Sequence, residues 1–443
     1  MAGLAAGCAL SEAGFRVTVI EKRPFVGGRA SSYEHPGTGE VVDNCQHVLL
    51  GCCTNLMDFY RRTGVEDKIR WYDRLNFIEP GGRCSEIASS WLPPPFHTAP
   101  SFLRACCLSL ADRLAIARAL MSIAHELPPD SGETFMEWLQ RHAQTQQAIE
   151  RFWKVVLVSA LNEDLERMSV HYAAQVFREA FLKSAEGGRM GVPRVPLTEL
   201  YGAATEYIRG RGGEVRLRAS AESFRAESNG VRLCVNGEET ACDFAVLAAP
   251  FDALGRMLPE DAGQLREMIA RFETSPITGI HLWFDREVTD LDHAVLLDRT
   301  IQWMFHKSRL LGRGGPSYME LVVSSSKALV EKPRGEIIEM AVRELGEFFP
   351  SVREARLVKS TVIKEVHATY SALPGADSYR PPAHTVWPRV FLAGDWTRTG
   401  WPATMEGAVR SGYLAAEAVA QASGQDTKFL VGELPARGLM RLL

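Results

Sequence analysis

The sequence predicts an α/β protein: a domain built around a parallel sheet, with a second, α+β domain inserted into it. Residues 2–13 are small and apolar, and after Gly14 a β-branched strand follows that ends in Glu21. Near the other end of the chain, a buried strand stops at Gly394-Asp395, and a second small-residue helix follows. A helix, a glycine and a strand that ends in an acid form the second half of a dinucleotide-binding βαβ unit. Both ends of the chain are therefore expected to share one Rossmann-like domain.

The composition is that of a globular chain with more than one substructure. The 443 residues are 46% hydrophobic and 23% charged. A net charge of −4 supplies no field for binding nucleic acid. Nine cysteines are too few for a disulfide framework, which predicts a cytoplasmic protein with reduced thiols. The N-terminus lacks the basic region of a signal peptide, and the uncharged stretch from Ile87 to Leu103 is broken by prolines, so no membrane span is predicted.

Residues of the N-terminal unit predict contacts with a nucleotide. Gly3 matches the third glycine of G-x-G-x-x-G, which lets the helix approach the sheet. Glu21 is placed to accept hydrogen bonds from ribose hydroxyls, with Lys22 beside it. Gly28 allows the backbone to approach a phosphate, and Arg29 offers a forked cation for it.

The motif begins at its third glycine, so the first strand and the two preceding glycines do not precede Gly3. That strand normally lies in the middle of the parallel sheet, and without it neighbouring backbone groups would be unpaired. We therefore expect that the gene has a start codon upstream of Met1. The added sequence should encode an apolar strand of about five to six residues and a glycine-rich turn.

The C-terminal unit predicts contacts with the other half of the same ligand. Asp395, after Gly394 at the carboxyl end of a strand, can bond a ribityl hydroxyl. The N-terminal amides of the following helix would stabilise negative charge on the N1/O2 side of a reduced flavin. The residues assigned to this helix end are Thr404, Met405, Glu406 and Ala408.

Glu21 to Ser32 together with Phe391 to Val419 resembles the two-part FAD signature of the amine oxidase and phytoene desaturase flavoprotein superfamily. The resemblance implies that FAD is the cofactor and that the backbone of Val215 contacts its adenine. Residues 43–51, 192–197 and 400–412 are similar to the hydroxysqualene dehydroxylases of hopanoid biosynthesis. The similarity covers roughly residues 2–422, and Cys45 departs from it where a glycine is expected.

The distribution of these motifs predicts a discontinuous domain organisation. The FAD-binding domain is expected to comprise residues 1–75, 190–260 and 360–425. Residues 76–189 and 261–359 are expected to form the substrate domain, with helical patterns in the first part and strands in the second. Residues 426–443 are left as a tail without an assigned role.

The resemblance implies a redox reaction on an isoprenoid, the reductive dehydroxylation of hydroxysqualene to squalene, with an electron donor that the sequence does not identify. Hydride transfer belongs to the flavin, so the protein must orient the isoprenoid and exclude water. Departure of the hydroxyl as water calls for an acid, and Asp43 and His47 are the candidates for this acid or for groups that orient the hydroxyl. A long apolar tunnel that ends at the flavin ring is predicted. For His47 a purely structural role is an equal alternative.

Three alternatives stay open at this point. The chain can be a carotenoid desaturase, or a flavin amine oxidase in which Trp396 and Trp401 frame the amine. It can also be a flavin-free relic or binding protein.

Residues 91–102 can form a lipid-facing entrance in peripheral contact with the inner face of a membrane, or a buried loop. No metal site is predicted, because the clustered cysteines include no C-x-x-C pair.

Overall fold

The computed structural model describes residues 1–442. The helices are α1 Ala2–Glu12, α2 Thr54–Arg62, α3 Ala99–Arg104, α4 Leu110–His125, α5 Phe135–Arg141, α6 Gln146–Ala148, α7 Lys154–Leu161, α8 Val170–Phe177, α9 Leu197–Arg209, α10 Phe251–Met257, α11 Gly263–Ala270, α12 Lys307–Leu310, α13 Lys327–Val330, α14 Arg334–Phe348 and α15 Met405–Ala422. The strands are β1 Thr18–Glu21, β2 Ser32–Glu34, β3 Val41–Asp43, β4 Leu49–Leu50, β5 Ile69–Tyr72, β6 Arg74–Ile78, β7 Cys84–Ala88, β8 Met190–Pro193, β9 Glu214–Leu217, β10 Ala221–Ala226, β11 Val231–Val235, β12 Glu238–Cys242, β13 Ala245–Leu247, β14 Thr274–Phe284, β15 His293–Leu296, β16 Trp303–His306, β17 Tyr318–Ser324, β18 Leu357–Tyr370 and β19 Val390–Leu392.

The two ends of the chain pack together as predicted. Strand β1 pairs in parallel with β9, and β13 pairs in parallel with β19. Helix α1 lies against α15, and their small residues bring the two backbones close: a Cβ on Gly412 would lie 2.4 Å from the carbonyl oxygen of Ala2. The predicted elements at both ends are thus confirmed. The expectation of a further strand before Met1 stays a prediction.

A seven-stranded sheet has the strand order β18-β14-β17-β16-β15-β6-β7. Neighbouring strands are antiparallel except β15 and β6, which are parallel. Helix α14 covers one face of the sheet, with Ile337, Ala341 and Leu345 buried against it. The combination of helices and strands that was predicted for the substrate domain is confirmed. The division into two domains at the stated boundaries stays a prediction.

Helix α4 lies where the sequence predicted helical patterns in the first part of the substrate domain. Leu110, Leu114 and Met121 are 64%, 58% and 40% exposed. Its buried apolar side chains are those of Ala115, Ile116, Ala119, Ile123 and Ala124. The helix therefore presents large apolar side chains on both faces. No helix between residues 1 and 442 combines the length and apolar character needed to cross a bilayer.

Candidate active site

The predicted adenosine-binding residues lie on the neighbouring strands β1 and β9. Val215 pairs with Val19, and Glu21 is the last residue of β1. Its Oε1 accepts a hydrogen bond from the backbone N–H of Arg23, 2.8 Å away. Glu21 is half-buried, and the side chain of Lys22 is exposed. The carboxylate of Glu21 thus lies at the carboxyl end of a parallel strand, where open α/β sheets bind nucleotides.

Arg29 and Asp395 join the two halves of the expected site. They form an ion pair although they are 366 residues apart in the chain. Arg29 also donates a hydrogen bond to the carbonyl oxygen of Ala368, at 3.0 Å. Gly28, which precedes it, has φ +65°, a backbone conformation that glycine adopts at low cost. The fold therefore brings together Arg29 and Asp395, the residues predicted to contact the phosphate and the ribityl chain.

The N-terminus of α15 meets the same region. Thr404 caps the helix by accepting a hydrogen bond from the N–H of Gly407, at 3.1 Å. Thr404, Met405 and Ala408 keep partly accessible surface, whereas Glu406 is fully buried. Glu406 accepts hydrogen bonds from the backbone N–H of Leu56 at 2.7 Å and of Asn55 at 3.2 Å. Its carboxylate thus caps α2, and the expected contact of Glu406 with the cofactor stays a prediction.

Arg380 is a structural determinant of this site that the sequence reasoning missed. Its guanidinium is fully buried and donates to the carbonyl oxygens of Asp395 and Trp401, at 2.9 and 2.8 Å. It also contacts the hydroxyl of Thr399 at 3.2 Å. Arg380 thereby fixes the loop that runs from Asp395 to the start of α15. No local motif marks it, because its partners are backbone atoms of a distant segment.

These residues fit a dinucleotide. Gly394 has φ +150°, and a Cβ there would lie 2.3 Å from Nε1 of Trp396, so the strand end must be glycine. Gly3 and Gly28 are partly accessible next to a helix N-terminus, an acid at a strand end and a forked cation. Glu21 and Val215 would hold the adenosine, Gly28 and Arg29 the phosphates, and Asp395 with the end of α15 the ribityl chain and ring.

An apolar cavity of about 250 Å³ adjoins the N-terminus of α15. Its wall combines residues of the N-terminal segment, of α7 and α8, of the seven-stranded sheet and of the loop before α15. Representative wall residues are Leu50, Val156, Phe181, Trp303, Phe305, Val322, Trp401 and Met405. The wall is apolar, as the predicted tunnel requires, and the length of the tunnel and its end at the flavin ring stay predictions. The residues that line this cavity include none of 91–102, the stretch that motivated the prediction, and Trp91 is 89% exposed.

The two proposed catalytic side chains have different surroundings. Asp43 is buried and accepts hydrogen bonds from Lys307 Nζ at 2.7 Å and from Ser32 Oγ at 2.6 Å. Burial opposes ionisation, but the charge and hydrogen bond of Lys307 outweigh it and lower the pKa of Asp43. An ionised Asp43 is unsuited to donate a proton. His47 Nδ1 lies 2.8 Å from the carbonyl oxygen of Cys45, and burial lowers the pKa of its imidazole.

A buried polar cluster, which sequence reasoning also missed, borders the cavity. We define it as Asp43, Gln46, His281, Lys307 and Glu320, all at most 8% exposed. Lys307 Nζ donates to Gln46 Oε1 at 2.8 Å and lies 3.4 Å from Glu320 Oε2. Burial raises the pKa of Glu320 to about 7, against the opposing charge of Lys307. Burial likewise lowers the pKa of His281 to about 3.

Curated relatives match almost the full chain. A probable zeta-carotene desaturase of Synechococcus elongatus is 26% identical and aligns over 95% of this chain and 97% of its own. The 15-cis-phytoene desaturase of Solanum lycopersicum is 23% identical, over 98% of this chain and 77% of its own. A solved oxidoreductase of Methanosarcina mazei superposes with a TM-score of 0.73 at 17% identity, over 95% and 98% of the two chains.

The family model described as flavin containing amine oxidoreductase matches residues 1–420. This match and the two-part site at the chain ends agree on the cofactor, which is FAD. The fold is that of the FAD-binding oxidoreductases. The presence of an FAD-binding family domain excludes the alternative of a flavin-free relic. The chain belongs to the flavin containing amine oxidoreductase family.

Proposed function

We propose that the protein is an FAD-dependent oxidoreductase of a long isoprenoid and that it carries out the reductive dehydroxylation of hydroxysqualene to squalene. The observation that carries the proposal is the apolar cavity, whose wall includes Thr404, Met405 and Trp401 next to the expected flavin position. Water-insoluble isoprenoids bind through apolar contact, since each buried methylene contributes about 0.8 kcal/mol. The similarity of residues 43–51, 192–197 and 400–412 to hydroxysqualene dehydroxylases supports the choice of substrate.

The side chains of the cavity bind and orient the substrate and exclude water. Leu50, Val156 and Phe305 would pack along the hydrocarbon chain. When bound and reduced, FAD supplies the hydride. Exclusion of water by the apolar wall would protect an allylic cation from capture by solvent.

Carotenoid desaturation is the second candidate, favoured by relatives whose names are zeta-carotene desaturase and phytoene desaturase. It uses the same cavity but removes hydrogen from a hydrocarbon. Amine oxidation has less support. Of the two tryptophans proposed to frame an amine, Trp401 lies in the cavity wall, whereas Trp396 is buried and donates from Nε1 to the carbonyl oxygen of Ala249 at 3.1 Å.

The three reactions are separated by product analysis of the purified holoenzyme. With dithionite-reduced enzyme under anaerobic conditions, hydroxysqualene should yield squalene. With the oxidised enzyme and an electron acceptor, phytoene, zeta-carotene and putrescine should be unchanged. Formation of a desaturated carotene, or of hydrogen peroxide with the amine under air, would replace the proposed reaction by the corresponding alternative.

We further infer that exposed apolar side chains of residues 91–114 rest on an anionic lipid bilayer. These side chains are Trp91, Leu103, Leu110 and Leu114, all more than half exposed. Within residues 87–125 the exposed charges are basic, since the acid in this stretch, Asp112, is buried in the capping box of α4, and the exposed acids Glu86 and Glu126 border the stretch. Bilayers with anionic headgroups attract such surfaces.

A row of aromatic rings connects this surface with the cavity. Phe102 of α3 contacts Phe152 at a centroid distance of 5.6 Å, Phe152 contacts Phe177 at 5.5 Å, and Phe177 contacts Phe181 at 5.9 Å. Phe181 is part of the cavity wall. The row therefore joins α3, which carries Leu103, to the cavity wall by direct packing.

A further inference from the structure

The apolar cavity has one strongly polar border, the cluster of Asp43, Gln46, His281, Lys307 and Glu320. On β17, Glu320 lies on the same face as Val322 and Ser324, because side chains alternate along a strand. Val322 and Ser324 line the cavity. The cross-strand neighbours of Glu320 are His281 on β14 and Phe305 on β16, and Phe305 also lines the cavity. The cluster thus continues the cavity wall along the sheet.

The atoms of the cluster behind Gln46 are incompletely paired. Oε1 of Glu320 and Nε2 of His281 are buried without a hydrogen-bond partner, and Oε2 of Glu320 has Lys307 Nζ as its neighbour, 3.4 Å away. Gln46 separates these atoms from the cavity, because it is the member of the cluster that lines the wall. The polar border that a ligand meets is therefore the amide of Gln46.

Gln46 is the member of the cluster that lines the cavity. Its Oε1 accepts a hydrogen bond from the ammonium group of Lys307, and its Nε2 donates to the carbonyl oxygen of His47 at 3.0 Å. An amide nitrogen has two N–H groups, so one remains for a ligand. Because Lys307 donates a hydrogen bond to the amide oxygen of Gln46, the orientation of the amide is fixed. Its second N–H group is then the donor that a ligand in the cavity can use.

The charge balance of the cluster identifies the kind of polar group. Asp43 and Lys307 compensate each other, and burial, which raises the pKa of Glu320 to about 7, opposes a further negative charge in the cluster. A charged ligand would add a net charge among buried and mostly apolar side chains, which is costly. A neutral hydroxyl or carbonyl oxygen adds none and can accept from Gln46.

We propose that Gln46, held by Lys307, binds an oxygen atom of the substrate at the polar border of the cavity, so that the protein takes an oxygen-bearing isoprenoid in preference to the corresponding hydrocarbon. The inference rests on the proposed function, because it assumes that an isoprenoid occupies the cavity. Glu320 and His281 are positioning residues behind the amide and do not contact the substrate.

The test is equilibrium binding to the oxidised holoenzyme, without a reductant, of two matched pairs: hydroxysqualene with squalene, and farnesol with farnesene. Quenching of tryptophan fluorescence reports binding, since Trp303 and Trp401 line the cavity. The alcohol of each pair should bind about tenfold more tightly than the hydrocarbon, which corresponds to one hydrogen bond. The variant Gln46→Leu should abolish this preference and leave hydrocarbon binding within about twofold.

The matched control is Gln175→Leu, the same substitution in the same cavity wall. Gln175 is the alternative site for the hydroxyl group of the substrate, because it lines the cavity and its buried Oε1 has no hydrogen-bond partner. Retention of the preference by Gln175→Leu supports the proposal. Its loss there and retention in Gln46→Leu would overturn it, as would equal binding of alcohol and hydrocarbon to the wild type.

A second variant, Glu320→Gln, covers the case that Gln46→Leu does not fold. It keeps the size of the side chain but replaces an acid by a neutral amide, and it should reduce the preference of the wild type for the alcohol without abolishing it. A preference raised above that of the wild type would contradict the positioning role. Failure of all four compounds to bind the wild type would instead overturn the proposed function.

Discussion

The ammonium nitrogen of Lys307 lies 2.7 Å from Oδ2 of Asp43, and these two side chains are 3% and 4% exposed. Lys307 begins α12 after the central strand β16, whereas Asp43 ends β3 in the N-terminal segment. Asp43 also accepts a hydrogen bond from the backbone N–H of Leu197 at 3.2 Å. The ion pair therefore ties the seven-stranded sheet to the segment that carries Gln46.

Breaking this pair should destabilise the protein strongly. We expect Lys307→Met to lower the free energy of unfolding by about 3–5 kcal/mol, because it leaves a buried carboxylate uncompensated. The double variant Asp43→Asn/Lys307→Met should lose less unfolding free energy than the sum of the losses in the single variants Asp43→Asn and Lys307→Met. Urea denaturation followed by circular dichroism measures all three. Additive losses would mean that the two charges do not interact.

Glu320 should make the stability depend on pH. Its pKa is raised from 4.5 to about 7 by burial, so the native state holds a proton that the unfolded state releases. The stabilisation is complete below pH 4.5 and is lost as the pH rises through 7, at up to about 1.4 kcal/mol per pH unit and about 3 kcal/mol in total.

Glu320→Gln should remove this dependence. The difference in free energy of unfolding between variant and wild type should therefore shift in favour of the variant from pH 5 to pH 8. Thermal denaturation at each pH measures it. The groups that face Glu320 are Asp43 and Cys45 from the N-terminal segment, His281 from β14, Lys307 from α12 and Tyr318 from its own strand. A difference that stays constant with pH would place the titrating proton on one of them.

FAD affinity should depend on the acids at the two strand ends. Glu21→Ala should weaken FAD binding by about 1–3 kcal/mol, because the ribose hydroxyls lose a charged acceptor. Asp395→Ala should reduce FAD retention, since it removes a ribityl contact and frees Arg29 from its ion pair. Titration of the apoprotein with FAD measures both. Glu239→Ala, at an exposed strand position away from the site, is the control. Unchanged affinity in both site variants would show that the cofactor is misplaced.

Arg380 should matter for the order of the loop before α15. Arg380→Lys keeps the charge but cannot reach Asp395, Thr399 and Trp401 together, since a lysine lacks the planar fork. We expect a loss of about 2–4 kcal/mol in unfolding free energy, from buried carbonyl groups left unpaired. Faster release of FAD should accompany it. Wild-type values of both quantities would show that the loop is held by other contacts.

Binding to lipid should depend on the exposed leucines of α4. Leu110→Ser/Leu114→Ser should lower the fraction that floats with phosphatidylglycerol vesicles at least tenfold, since each side chain contributes about 1.5–3 kcal/mol when buried. Val358→Ser/Val386→Ser is the matched control, because these residues are 53% and 71% exposed on other parts of the surface. Equal flotation of both double variants would contradict the proposal. A concentration-dependent dimer that only Leu110→Ser/Leu114→Ser abolishes would assign the surface to a second copy of the chain.

The sequence by itself determined the elements at the two chain ends and the cofactor. Local patterns suffice there: Glu21 ends a short strand after a glycine stop, and Gly394 and Asp395 precede a helix of small residues. Such signals depend on backbone conformation and on neighbours in the chain, so they can be read without the fold.

Only the tertiary structure decided which side chains meet at the cavity. Glu320 and Lys307 are unremarkable in sequence, and Arg380 binds carbonyl groups that no motif announces. Periodicity predicted helix α4, but its apolar side chains recur on both sides, and only packing decides that Ile116 and Ile123 are buried while Leu110 is exposed. Asp43 was identified as an acid from its place in a motif, but its charge state follows from the proximity of Lys307, 264 residues away. A pKa depends on burial and on charges in space, and neither is written in the local sequence.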